Sequence, residues 1–267
     1  MEKVAEILVE ASAAAVEPRF RALATGEVME KAPGELVTVA DREAEQLITR
    51  RLRELLPVPV VGEEAVSADP DLARALGSEP AVWLVDPIDG TGNFVAGRPE
   101  FAVMAALVRD GRTVAAWIWQ PVSGTAYAAE LGSGAWRDGQ RLHREASADL
   151  PEKWHGLLKS RFLDPATHHQ LQARARAFGR LEEGLRSAGM EYPLLADGGL
   201  DFILYWRTLP WDHAPGSLLV SEAGGVSARL DGTPYRPEPP GCEDGLLVAA
   251  DPAMWERARD ILLGQAG

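Results

Sequence analysis

The chain has 267 residues, of which 46% are hydrophobic and 25% charged, a composition typical of a soluble globular protein with a large core. Its net charge of −13, from 27 basic and 40 acidic residues, argues against a nucleic-acid-binding or anionic-membrane-binding surface, because both require a basic patch. The single cysteine, Cys242, excludes an internal disulfide and a cysteine metal cluster. We therefore expect no nucleic-acid and no membrane partner.

The N-terminal sequence is charged and shows no apolar signal-peptide core. No apolar run approaches the roughly 20 residues of a membrane span. These features predict a cytoplasmic protein.

In the first 140 residues, apolar spacing predicts helices followed by strands. The two helices are predicted over 2–24 and 38–56, and the strands over 58–61, 81–85, 101–109, 112–120, 127–130 and 134–137. The dipeptide Asp110-Gly111 is a strong signal for a hairpin between two of these strands.

The second half differs from the first, and no internal repeat is visible. Strands are predicted over 156–160, 201–206 and 246–250, and helices over 170–178, around 193–197, 213–223 and 252–263. Helices and runs of strands in each half predict stacked layers of sheet and helix, not a doubly wound parallel sheet.

The segment Trp83 to Phe94 contains the strongest functional signal. An apolar strand runs into two carboxylates, Asp86 and Asp89, and then into the glycine turn Gly90-Thr91. Buried carboxylates are unfavourable unless they are paired or bind a cation, and Mg²⁺ prefers oxygen ligands. Free backbone N–H groups at a helix start after Gly90 would bind phosphate oxygens. Together these features indicate a phosphoryl-transfer site.

Two further acidic elements are weaker signals by themselves. Gly62-Glu63-Glu64 follows a predicted strand and is also compatible with a solvated turn. Asp212 stands at a predicted helix start and is also a plausible N-cap.

Four motifs in this order resemble those of the inositol monophosphatase family of Mg²⁺-dependent, lithium-sensitive phosphatases. They are Leu36 to Asp41, Gly62 to Glu64, Asp86 to Phe94, and Trp211-Asp212 with Glu222 to Gly225. The resemblance covers nearly the whole chain. It implies an αβαβα layered sandwich of the inositol monophosphatase and fructose-1,6-bisphosphatase type, and a homodimer. It also implies one domain over 1–267, with the metal and phosphate site in 1–140 and substrate specificity in 141–267.

The resemblance also implies roles for individual residues. Mg²⁺, roughly two to three ions per site, would be held by Glu63, Asp86, the carbonyl of Ile88, Asp89 and Asp212. Thr91, paired with Asp41, would orient the attacking water, and Glu63 would assist its deprotonation. The N–H groups of Gly90 and Thr91 would hold the phosphate of a small phosphorylated metabolite.

Departures from the family pattern concern the substrate. Family enzymes that act on inositol phosphate carry a glutamate where this chain has Tyr205, and a Gly-Ser/Thr-Ala-Ala segment where it has Arg186-Ser187-Ala188-Gly189. We take Arg186, Ser187, Ala188, Tyr205 and Asp212 as candidate substrate contacts. A family basic residue has no clear match, because Glu30 occupies its place and Lys31 follows it.

The alternatives share the metal motifs or belong to other classes. The main hypothesis is a phosphomonoesterase that acts on a small polyol or sugar phosphate such as inositol 1-phosphate. The first alternative is histidinol-phosphate phosphatase, and the further ones are fructose-1,6-bisphosphatase and 3′-phosphoadenosine nucleotide phosphatase. A haloacid-dehalogenase-type phosphatase needs two aspartates two residues apart, whereas Asp86 and Asp89 are three apart. A non-catalytic regulatory module is the alternative from a different class.

Overall fold

The computed structural model describes residues 1–145, 150–159, 163–241 and 245–265. The helices of these ranges are α1 (Glu2–Ala11), α2 (Val39–Leu55), α3 (Glu63–Ala68), α4 (Ala75–Ser78), α5 (Thr91–Val95), α6 (Pro165–Ala175), α7 (Ala188–Ala196), α8 (Pro210–Ala223) and α9 (Pro252–Leu263). The strands are β1 (Val28–Ala32), β2 (Glu35–Thr38), β3 (Val60–Gly62), β4 (Ala81–Asp89), β5 (Ala102–Arg109), β6 (Arg112–Gln120), β7 (Thr125–Glu130), β8 (Gly134–Arg137), β9 (Gln140–Leu142), β10 (His155–Leu158), β11 (Arg180–Glu182), β12 (Phe202–Tyr205), β13 (Val226–Arg229) and β14 (Leu246–Ala249).

Two sheets alternate with three helical layers. In the described ranges the larger sheet has the order β3-β4-β5-β6-β7-β8-β9, and the smaller has the order β11-β10-β12-β14-β13. Helices α1 and α2 cover the outer face of the larger sheet, α7 and α8 lie between the sheets, and α6 and α9 cover the outer face of the smaller sheet. The predicted αβαβα sandwich is thus confirmed.

Both sheets combine parallel and antiparallel pairs. In the larger sheet β3 pairs with β4 in parallel and the following pairs are antiparallel. The predicted hairpin between β5 and β6 is present, with φ of 49° at Asp110 and 70° at Gly111. Positive φ at both residues matches the right-handed twist of the flanking strands and explains the Asp-Gly pair.

The first predicted helix is shorter than expected. Helix α1 ends at Ala11, and the chain continues through a π turn (Ser12–Val16) and a 3₁₀ turn (Glu17–Arg19). Pro18 has no N–H to extend a helical ladder, which accounts for the change. The sequence pattern also missed the β1–β2 hairpin, whose strands are short and carry several charged side chains.

Helix α7 begins five residues before the predicted start at Pro193, which lies inside it. A proline within a helix leaves the carbonyl four residues earlier without its partner. Here that carbonyl belongs to Gly189, and it accepts a hydrogen bond from Gln120 Nε2 at 3.0 Å. The larger sheet therefore stabilises a helix that its proline would otherwise weaken.

No helix among the described residues combines the length and apolar character needed to cross a bilayer. Cys242 and the end of the strand predicted over 156–160 lie outside the described residues.

Candidate active site

Asp86 and Asp89 lie on β4, in the middle of the protein. Their exposed fractions are 1% and 7%. The register of β4 against β5 shifts between them, at Pro87 and Ile88. Side chains three apart on a regular strand face opposite sides of a sheet, so this irregularity allows both carboxylates to line one cavity.

The cavity has a volume of about 1020 Å³ and brings most of the predicted site together. Its lining includes Glu63, Asp86, Ile88, Asp89, Gly90, Thr91, Arg186 and Asp212. Asp41, Ser187, Ala188 and Tyr205 do not line it. The geometry therefore divides the predicted residues into those that face the cavity and those that lie behind it.

Asp41 lies behind Thr91 and is fully buried. Its Oδ2 accepts from the N–H and the Oγ1 of Thr38, at 2.8 and 2.5 Å, in a capping box at the start of α2. Its other oxygen lies 3.0 Å from Thr91 Oγ1, which is also 3.0 Å from the carbonyl of Ile88. Burial raises the pKa of Asp41 to about 6. One carboxylate thus couples the helix start to the hydroxyl that faces the cavity.

Gly62 and Glu45 explain the position of Glu63. The Glu45 carboxylate accepts from the N–H groups of Glu64 and Ala65, at 2.8 and 2.9 Å, and so binds the first turn of α3. A Cβ at Gly62 would lie 2.4 Å from Glu45 Cδ. Only glycine leaves room for this carboxylate, which fixes the helix that carries Glu63 into the cavity.

Gly62→Ala is therefore expected to displace Glu45 and to destabilise the protein by about 1–3 kcal/mol, the usual effect of overpacking. Urea denaturation measures the change in the free energy of unfolding. Gly77→Ala is the matched control, since nothing lies within 4 Å of a Cβ built there. Equal stability of the two variants would contradict the role of Gly62.

Lys31 is a cavity residue that the sequence pattern left unmatched. Its Nζ donates to Glu63 Oε1 at 2.8 Å and to Glu64 Oε1 at 2.6 Å. Burial alone would lower its pKa, but the two carboxylates outweigh burial and raise it. Lys31 lies on β1 where the β1–β2 register shifts, between Glu30 and Ala32.

The start of α7 holds Asp89. Its Oδ2 accepts from Ser187 Oγ at 2.5 Å and from the Gly189 N–H at 2.7 Å. Ser187 and Ala188, which we expected to contact substrate, are both buried. In this structure Ser187 instead positions a carboxylate that lies 98 residues earlier in the chain.

Tyr205 also differs from its expected place. It is 4% exposed, and its hydroxyl donates to Glu191 Oε2 at 3.0 Å. Glu191 is fully buried and accepts from Lys159 Nζ and the Leu185 N–H, at 2.5 and 2.6 Å. The polar atom of Tyr205 is thus engaged within the core, and its contact with substrate stays a prediction.

Asp86 and Asp212 form a carboxyl pair. Both line the cavity, and burial, together with neighbouring acidic groups, raises the pKa of both well above the usual range. Asp86 Oδ1 is buried and has no hydrogen-bond partner among the described residues. Such a group is costly unless a proton or a cation compensates it.

These donors fit a divalent cation in chemistry, although they are not arranged around one point. In the described ranges no three His, Cys, Asp or Glu side chains form a group ready to hold a metal ion. Glu63 is bonded to Lys31, and Asp89 to the start of α7. All are oxygen donors, however, and the unpartnered Asp86 Oδ1 requires a compensating charge. Lys31 and a cation would compete for Glu63.

The buried acids predict how stability depends on pH in the metal-free protein. Burial raises the pKa of Asp41 and Asp89 to about 6, and of Glu45 and Glu64 to about 7. Between about pH 4 and pH 6–7 these groups are protonated in the folded state but ionised in the unfolded state. The stability that this proton binding contributes is lost as the pH rises through 6–7. In chelator, the free energy of unfolding is expected to fall by about 2 kcal/mol or more between pH 5 and 8. Glu45→Gln should flatten the profile, whereas a rise over this range would contradict the prediction.

Comparison with a family model shows to which family the chain belongs. The model of the inositol monophosphatase family matches residues 1–262. The chain belongs to the inositol monophosphatase family. Family membership supports a phosphatase and a small phosphorylated substrate.

Individual relatives agree with this assignment. The chain is 30% identical over 205 residues to the fructose-1,6-bisphosphatase/inositol-1-monophosphatase of Thermotoga maritima, covering 74% of this chain and 73% of the relative. It is also 30% identical to the Nus factor SuhB of Salmonella typhimurium, covering 77% and 76%. Among solved structures, the Thermotoga maritima IMPase TM1415 has a TM-score of 0.76 at 25% identity, covering 96% of this chain and 94% of that chain. The relatives therefore include proteins named as phosphatases and one named as a Nus factor.

Proposed function

We propose that this chain is a Mg²⁺-dependent phosphomonoesterase that hydrolyses a small polyol or sugar phosphate such as inositol 1-phosphate. The observation that carries the proposal is the convergence of Glu63, Asp86, Asp89 and Asp212 on one cavity, beside Thr91. Asp86 and Asp89 are buried, and buried carboxylates are unfavourable in a purely structural role.

The metal ligands in this proposal are the carboxylates of Glu63, Asp86, Asp89 and Asp212 and the carbonyl of Ile88. When bound, Mg²⁺ activates water and neutralises charge on the phosphoryl group. Lithium is expected to inhibit by competing for one of the cation positions. Homodimer formation, implied by the family resemblance, and a cytoplasmic location belong to the same proposal.

Thr91 and Asp41 are the proposed groups that orient water. Thr91 Oγ1 faces two acceptors, Asp41 Oδ1 and the Ile88 carbonyl, and its single proton serves one of them at a time. Its oxygen lone pairs remain available to a water in the cavity. Glu63 is the proposed group that assists deprotonation of that water, and the N–H groups of Gly90 and Thr91 are the proposed phosphate donors.

Two alternatives remain within the family. The name of the Thermotoga relative keeps fructose 1,6-bisphosphate among the candidate substrates. The name of the Salmonella relative makes a non-catalytic regulatory role the second alternative. The net charge of −13 argues against direct RNA binding, and the cavity carboxylates argue for catalysis.

The test is phosphate release with Mg²⁺ across a substrate panel. The panel contains inositol 1-phosphate, histidinol phosphate, fructose 1,6-bisphosphate, 3′-phosphoadenosine 5′-phosphate and glycerol 2-phosphate. Metal-dependent release from at least one compound, abolished by chelator, is expected. No release from any of them would contradict the proposal and favour the regulatory role.

A further inference from the structure

The catalytic cavity of this acidic protein is lined by several cationic side chains. They are Lys31, Arg74, Arg98, Arg186 and Arg207. Lys31 is paired with Glu63 and Glu64, Arg74 with Asp71, and Arg207 with Glu35. In the part of the chain that the structure describes, the guanidinium groups of Arg98 and Arg186 have neither an ion-pair nor a hydrogen-bond partner, and both side chains are exposed.

Asn93 links the two backbone segments that carry these arginines. Its backbone carbonyl accepts from the Arg98 N–H at 2.9 Å. Its buried Nδ2 donates to the carbonyl of Glu100 at 2.5 Å and to that of Leu185 at 2.7 Å. One side chain therefore joins the segment that carries Arg98 to the segment that carries Arg186.

Both segments lie beside Gly90, in the turn proposed to bind the phosphate. A Cβ at Gly90 would lie 2.9 Å from the Glu100 carbonyl oxygen and 3.5 Å from that of Arg186. Gly90 itself has φ of 90° and precedes the first turn of α5. The two arginines thus border the turn whose N–H groups are proposed to hold the scissile phosphate.

The backbone at Arg186 is held in an uncommon conformation. Its φ is 61°, in the left-handed region that non-glycine residues rarely adopt. The Glu191 carboxylate accepts from the Arg186 N–H at 3.1 Å and from the Leu185 N–H at 2.6 Å, which keeps the turn in place. Such held conformations are concentrated at functional sites. Here the turn presents a charged side chain to the cavity.

We propose that Arg98 and Arg186 bind a second anionic group of the substrate, so that the preferred substrate is a phosphomonoester carrying a further phosphate or carboxylate. Guanidinium groups match the oxygens of both anions through charge-assisted hydrogen bonds. A phosphate ester of a neutral polyol has no second anion for these two unpaired guanidinium groups to bind. This inference rests on the proposed phosphatase function.

Matched substrate pairs test the proposal. Fructose 1,6-bisphosphate and fructose 1-phosphate differ in one phosphate, and 2-phosphoglycerate and glycerol 2-phosphate differ in one carboxylate. The wild-type enzyme is expected to prefer the doubly anionic member of at least one pair by about tenfold or more in kcat/KM. The pair that shows the preference identifies the second group.

The variants Arg98→Gln, Arg186→Gln and their combination locate the effect. The combined variant is expected to reduce the preference to near unity, with a much larger loss of kcat/KM for the doubly anionic member than for the singly anionic member. Arg74→Gln is the matched control, because it removes a paired charge from the same cavity and should leave the preference unchanged.

Three results would overturn the inference. A wild-type enzyme that releases phosphate equally from both members of each pair has no second-anion site. An equal loss for both members in the combined variant assigns the arginines to the scissile phosphate or to folding. Absence of metal-dependent release from every compound would contradict the proposed function itself, a result distinct from equal rates.

Discussion

Replacing Asp89 by asparagine is expected to reduce kcat/KM by at least about a thousandfold, or ~4 kcal/mol of transition-state stabilisation, while leaving the fold intact. The substitution removes a proposed ligand charge without changing the side-chain volume. The asparagine carbonyl oxygen can still accept from the Gly189 N–H, which binds Asp89 Oδ2 at 2.7 Å. The local structure at the start of α7 therefore survives.

The stability of this variant separates a ligand from a structural residue. Burial raises the pKa of Asp89 to about 6, so its charge is unfavourable in the metal-free protein at neutral pH. In chelator, Asp89→Asn is expected to melt at the wild-type temperature or above it, and calorimetry should show weakened Mg²⁺ binding. Asp110→Asn, in an exposed turn with φ of 49°, is the control and should behave as wild type. Wild-type-like turnover in Asp89→Asn would contradict the assignment of the site.

Thr91→Val is expected to reduce kcat by about 10²–10⁴-fold, the usual contribution of a positioned acid–base group. Valine preserves the shape of this buried side chain but removes the hydroxyl that lies 3.0 Å from Asp41 Oδ1. Without that hydroxyl, Asp41 loses one of the hydrogen bonds that lower its pKa, so a larger fraction is protonated at neutral pH. The loss should appear in phosphate release measured at saturating substrate.

Thr91→Ser provides the matched control because it keeps the hydroxyl and loses only a methyl group. It is expected to retain activity within about tenfold of the wild-type enzyme. Both variants should also be tested for unfolding, since a lost buried hydrogen bond destabilises by about 1–3 kcal/mol. Equal rates for the valine and serine variants would show that the hydroxyl plays no part in orienting water.

The sequence pattern predicted the layered fold because its longer elements have clear apolar periodicity. Helix α9 was predicted at its observed bounds, Pro252–Leu263, and the β5–β6 hairpin followed from Asp110-Gly111. Elements that depend on distant support were missed or misplaced. Helix α7 contains Pro193, and its strand neighbour Gln120 supplies the hydrogen bond that the proline leaves open.

The cavity residues on β4 were foreseeable because they follow directly on an apolar strand in the sequence. The residues that orient them were not, since they act across the fold. Glu45 binds the start of α3 from α2, and Ser187 reaches Asp89 across 98 positions. Lys31 lines the cavity from a hairpin that no periodicity indicated.

Tyr205 shows how alignment with a motif differs from position in space. A glutamate at this place in the family would bring its own charge to the site. Here the aromatic ring stacks against Tyr192, with centroids 5.2 Å apart, and the hydroxyl donates to Glu191. Tyr205 is absent from the cavity lining, whereas Arg98 and Arg186 belong to it.

The dependence of the initial rate of phosphate release on Mg²⁺ concentration tests the central claim most directly. Wild-type protein and Asp89→Asn would be assayed side by side on the best substrate of the panel, after removal of metal with chelator. We predict no release without Mg²⁺, saturable activation of the wild-type protein, and no activation of the variant at the same concentrations. Release by the wild-type protein in chelator, or equal activation of both proteins, would contradict the assignment of these carboxylates as the metal site of a phosphatase.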